Sequence, residues 1–67
     1  MSEKQKRIQA LRKHLLILND TMNQLSEMSK RIPPEDKERM KGICDAQQKN
    51  IKNALEILDE LSELEKE

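Results

Sequence analysis

The chain has 67 residues, of which 39% are charged and none aromatic, and its 13 basic side chains balance 13 acidic ones. A chain this short makes one small domain at most. A formal net charge of zero excludes a global attraction to nucleic acid or to an anionic membrane, and the longest unbroken apolar run, Leu15 to Leu18, is far short of the ~20 residues a membrane span needs.

This composition belongs to long amphipathic helices, and the regular return of the apolar residues argues against disorder. One cysteine cannot staple a secreted fold, and no signal-like apolar segment follows the basic start, so a cytoplasmic location is expected.

Ser2 followed by Gln5 fits a capping box and predicts that the first helix begins at residue 3. Ile8, Leu11, Leu15, Leu18, Met22, Leu25, Ser29 and Ile32 then recur at gaps of three and four. That is a heptad seam, the pattern of a helix packed lengthwise against another. It carries the helix over residues 3–31 and leaves Leu16 and Ile17 off the stripe.

The middle of the chain is Lys30-Arg31-Ile32-Pro33-Pro34-Glu35-Asp36. Two prolines end a helix, and Pro34 suits the first position of a new one, where a missing N–H costs nothing. Basic residues before the break and acidic ones after it match the helix dipoles. The expected division is a helix over 3–31, a Pro-Pro turn over 32–34 and a helix over 35–65, all one domain spanning 1–67.

In the second helix Met40, Cys44, Gln47, Ile51, Ala54, Leu58 and Leu61 make the predicted seam. Ile43, Ile57 and Leu64 widen it on one flank and Leu55 on the other. A short connection makes the helices antiparallel neighbours, with facing residues whose numbers sum to about 72. Leu25 then faces Gln47, Met22 faces Ile51, Leu18 faces Ala54, Leu15 faces Leu58, and Leu11 faces Leu61. The basic cluster Lys4, Lys6, Arg7, Arg12 and Lys13 comes to lie beside the acidic cluster Glu56, Asp59, Glu60, Glu63, Glu65 and Glu67. Each cluster opposes its own helix dipole, so antiparallel pairing is what accounts for both. The expected fold class is all-α, an antiparallel two-helix hairpin of coiled-coil type that completes a bundle with a copy of itself or with a partner.

That last step follows from size. One seam without aromatics barely offsets the entropy of ordering the chain. In this register Leu16 and Ile17 stand level with Leu55 and Ile57, which forms an apolar belt around the hairpin. These four are the candidate partner-binding residues, and the expected partner is another helical protein or a second copy.

Chemistry is sparse. His14 and Cys44 are single, and the register holds them roughly 20 Å apart, too far for a nucleophile–base pair. Cys44 is read as a small buried seam residue and His14 as a surface residue near Asp59. One His and one Cys do not make a zinc site, and Gly42 alone is no phosphate loop. No catalytic, metal or cofactor residue is expected, and the chain is not expected to be an enzyme. Gly42 faces outward, where it weakens the helix unless a partner's backbone needs the space. The basic residues at the tip, Lys30, Arg31, Lys37, Arg39 and Lys41, are interleaved with acids and lack aromatics for base stacking, so nucleic acid is not the expected partner. Met22, Met28 and Met40 are read as seam filling in preference to an adaptable recognition surface.

The segment Leu11-Arg12-Lys13-His14-Leu15 resembles the first helix of the small helical-hairpin co-chaperones of type III secretion needle subunits. Ala54-Leu55-Glu56-Ile57-Leu58-Asp59-Glu60-Leu61 is similar to their second. The resemblance spans roughly residues 11–61. It implies a cytoplasmic protein that binds a second helical chaperone and keeps a secreted subunit soluble.

The sequence therefore leads to a helical protein–protein interaction module, most concretely a co-chaperone or adaptor. The alternative is a homodimeric four-helix bundle that binds structured RNA through basic helix faces.

Overall fold

The computed structural model describes residues 2–66. Two helices, α1 (Glu3–Arg31) and α2 (Lys37–Lys66), fold back on each other as an antiparallel hairpin. The molecule measures 51 × 16 × 12 Å. Its radius of gyration is 15.6 Å, where a compact chain of this length has about 11 Å. The hairpin is thus a rod with a single layer of contact.

Ser2 caps α1 through its hydroxyl, which accepts from the Gln5 N–H at 3.1 Å. The turn differs from the sequence expectation. Pro33 C=O accepts from the Asp36 N–H at 3.0 Å, so Pro34 and Glu35 occupy the centre of a β-turn, and α2 starts at Lys37. The reason is capping chemistry. Asp36 supplies a carboxylate that accepts from the Arg39 N–H at 3.3 Å, whereas a helix begun at Pro34 would be capped by Pro33, which has no side-chain acceptor. Pro at the second position of such a turn needs no positive φ, and the described backbone has none.

On α1 the inward side chains are the seam read from the sequence. Leu11 and Leu18 are buried, and Ile8, Leu15, Met22, Leu25, Ser29 and Ile32 are half-buried. On α2 the inward face is rotated by one residue. Ile43 and Ile57 are buried, and Gln47, Asn50, Ala54, Leu61 and Leu64 are half-buried. Cys44, Ile51 and Leu58, expected in the seam, are exposed.

Two physical reasons favour this rotation. A seam through Cys44, Ile51 and Leu58 reaches Glu65 one heptad later and would bury a carboxylate, while the series Ile43, Asn50, Ile57 ends in Leu64. The observed rotation also leaves Glu60 and Glu65 on opposite flanks of the open end. There Arg7 holds Glu60 through hydrogen bonds of 2.8, 3.0 and 3.1 Å, and Arg12 reaches Glu65 at 3.2 Å. Both pairs are more than half exposed on the arginine side, so they steer orientation more than they add stability.

The core is lopsided. Leu11, Leu18 and Ile57 form one cluster near the open end, with Leu15, Met22, Ala54, Leu61 and Leu64 packed against it. Each of the three buried side chains contributes about 1.5–3 kcal/mol by leaving water. Towards the tip the seam holds Gln47, whose Nε2 donates to the Met22 carbonyl at 2.9 Å while its buried Oε1 has no hydrogen-bond partner. That amide makes the tip half the weaker one.

The rotation is directly measurable. Ile57→Ala removes a buried side chain and is expected to cost about 2–3 kcal/mol, whereas Leu58→Ala, half exposed, costs well under half of that. Thermal unfolding by circular dichroism on dilute samples decides it, and equal losses would place both residues in the seam. At Gly42 a Cβ meets nothing within 4 Å. Gly42→Ala is therefore expected to raise stability by about 1 kcal/mol, the helix-propensity difference, and a loss in the same assay would refute this.

Candidate functional site

A one-layer hairpin leaves more than half of each helix in solvent, and here part of that surface is apolar. Leu16 is 67% exposed, Leu55 61%, Ile17 54%, Met28 51%, Leu58 49% and Ile51 47%. Their distribution around the rod follows from helix geometry. Residues three, four or seven apart share a face.

On α2, Ile51, Leu55 and Leu58 stand at spacings of four and three and form one stripe, extended by Gln48 and Ser62 and edged by Lys52, Glu56 and Asp59. Leu58 also adjoins Glu65, which Arg12 bridges across the hairpin. Leu16 lies four residues beyond Arg12 on α1, on the same face. Leu16 therefore belongs to the side of the rod that carries the α2 stripe.

Ile17 belongs to the other side. It follows Ala10 by seven residues and His14 by three, and those two line the groove with Arg7, Asn53, Glu56 and Glu60. Met28, eleven residues beyond Ile17, continues that outer face of α1 beside Gln24 and Arg31.

The sequence expectation of a continuous belt thus needs two corrections. Ile57 is only 7% exposed and packs in the hairpin core, so it offers nothing to a partner. Leu16 and Ile17, adjacent in sequence, project about 100° apart and serve opposite sides. The rotation of α2 is the cause of the first correction and also exposes Ile51 and Leu58, which sequence reasoning had assigned to the seam. The signal available for them was the polar end of their heptad series at Glu65.

The chemically reactive side chains stay apart. Cys44 is exposed beside Ser26, Ser29 and Gln48 near the tip, a correction to its buried reading that follows from the same rotation. His14 lies near the open end beside Glu56 and Glu60, because Asp59 is turned to the other flank. Among the described residues no group of three or more His, Cys, Asp or Glu side chains could hold a metal ion. No helix is long and apolar enough to cross a membrane. At the tip, Lys30 pairs with Glu27 at 3.1 Å and Arg39 with Asp36 at 3.3 Å, so two of the five basic groups there are locally neutralised. Of the methionines, Met22 packs against the core and Met40 is half-buried, while Met28 is an outer-face residue.

Comparison with known proteins supplies no relative: no family model, no curated protein and no solved structure matches the chain.

If Leu16 and Leu55 are surface residues of the folded hairpin, the double variant Leu16→Lys with Leu55→Lys keeps its helical content. Far-ultraviolet circular dichroism at low concentration is expected to match the unsubstituted chain. A collapse of helicity would make them core residues.

Proposed function

We propose that the chain is a small helical protein–protein interaction module, most concretely a co-chaperone or adaptor that lays an apolar helix face against the helices of another chain. One observation carries this reading. Among the described residues six large hydrophobic side chains are about half exposed or more, while four are buried. Leaving apolar area in water forgoes about 25 cal/mol for each Å², and contiguous apolar surface on a small chain marks an interface.

The mechanism is burial of helix on helix, read by anchors at spacings of three and four. Leu16, Leu55 and the neighbouring Ile51 and Leu58 supply the anchors on one side, with Ile17 and Met28 on the other. Charged residues at the borders of each patch, such as Lys52, Asp59 and Arg31, penalise partners of the wrong charge pattern. A co-chaperone role adds that the covered partner is one that aggregates when its own helix face is left open. The ion pairs at the tip weigh against the RNA-binding alternative, since they reduce the positive field available to phosphates.

The test is affinity purification from source cells with the tagged chain and with the Leu16→Lys, Leu55→Lys variant in parallel. A helical protein should copurify in stoichiometric amount with the first and be lost from the second, and its soluble fraction should fall when the chain is deleted. Equal recovery with both baits would refute the reading.

A further inference from the structure

From the exposed stripe of α2 we infer that it is a self-association surface, which pairs antiparallel with the same stripe of a second copy about a two-fold axis near Leu55. The inference rests on the reading of the hairpin as an interaction module and names one of its partners.

The first argument is that the stripe is a palindrome. Leu55 is central, Ile51 and Leu58 flank it by four and three residues, and the polar Gln48 and Ser62 close it at seven on either side. Two-fold antiparallel packing sets Leu55 against Leu55, Ile51 against Leu58 of the second copy, and Gln48 against Ser62. Every apolar anchor then meets an apolar anchor, as an isologous interface requires.

The second argument is charge. One edge of the stripe carries Asp45, Lys52, Asp59 and Lys66 at strict heptad spacing, with alternating sign. In an antiparallel helix pair such edge positions face their own equivalents. About the same axis Lys52 lies opposite Asp59 of the second copy and Asp45 opposite Lys66, each contact occurring twice. These four contacts join opposite charges, while Glu56, which also lines the stripe, meets its own equivalent near the axis. Within one chain these groups are seven residues apart, about 10 Å along the axis, and so beyond direct contact with one another. Lys66 has a local partner in Glu63, an exposed contact of 3.7 Å that competes weakly. A parallel pairing in register offers no such match.

The third argument is area. The hairpin exposes 5507 Å², while a compact protein of its mass exposes about 4,400 Å². The excess, about 1,100 Å², is more than the roughly 800 Å² that one subunit gives up in a standard interface. The stripe lies roughly a third of a turn around α2 from the intramolecular seam, so a second α2 fits beside it without displacing α1. Leu16, on the same side of the rod, borders the added helix. Ile17 and Met28 face away and remain open to a different partner.

The test uses the full chain, with molar mass measured by light scattering over a wide concentration range. The unsubstituted chain should be a dimer that dissociates on dilution. Lys52→Glu and Asp59→Lys should each weaken dimerisation at least about tenfold, since each sets like charges against one another twice. Mixing the two variants should restore the dimer. In the mixture every acidic position 52 meets a basic position 59, and every acidic position 59 meets a basic position 52. That rescue is the outcome antiparallel pairing of α2 with itself predicts.

Three outcomes would overturn the inference: a helical chain that stays monomeric into the millimolar range, a dimer indifferent to both substitutions, or two variants that fail to recover on mixing. None of these touches the broader reading, because a monomer that still captures a helical partner through Leu16 and Leu55 would keep it. Conversely, a dimer with the expected rescue and no other partner would leave self-association as the whole of the interaction.

Discussion

Everything in this molecule depends on the single seam between α1 and α2. With two helices there is one contact surface and no interior, so burial is confined to that seam and its borders. Among the described residues only Leu11, Leu18, Ile43 and Ile57 are buried, and none of them completely. A fold held by so little apolar burial is sensitive to anything that adds surface to it, and this makes association a matter of stability as well as of recognition.

The seam also divides the rod lengthwise. Near the open end, leucines and Ile57 interdigitate and two arginine–carboxylate pairs close the flanks, one on each side. Near the tip, Ser29, Gln47 and Asn50 replace apolar seam residues, and the turn is held chiefly by the Asp36 cap and the bond from Asp36 to Pro33. The exposed apolar stripe of α2 sits over the firm half. A partner that docks there meets a surface whose backbone is already ordered and pays less of the conformational cost of binding.

The two sides of the rod are chemically unlike. One carries the α2 stripe with its alternating charged edge and Leu16. The other carries Ile17 and Met28 on α1 and a groove between the helices lined by His14, Asn53 and Glu56.

Much of this was legible in the residues alone. The capping pair Ser2 and Gln5, the heptad run from Ile8 to Ile32 and the two prolines determine two helices and a turn, because helix periodicity and proline sterics are local properties. The short connection determines that the helices run antiparallel, and the opposed charge clusters agree with it. The exposure of Leu16, Ile17 and Leu55 also follows from α1 and α2 periodicity. What periodicity does not determine is which of two adjacent stripes on α2 turns inward. Ile43, Asn50, Ile57 and Leu64 compete there with Cys44, Ile51, Leu58 and Glu65, one residue apart, and each series is mostly apolar. Only packing against α1 decides between them, since it compares a buried carboxamide with a buried carboxylate and brings Glu60 and Glu65 within reach of Arg7 and Arg12. That choice buried Ile57 and exposed Cys44, Ile51 and Leu58, and so set which side chains of α2 face solvent.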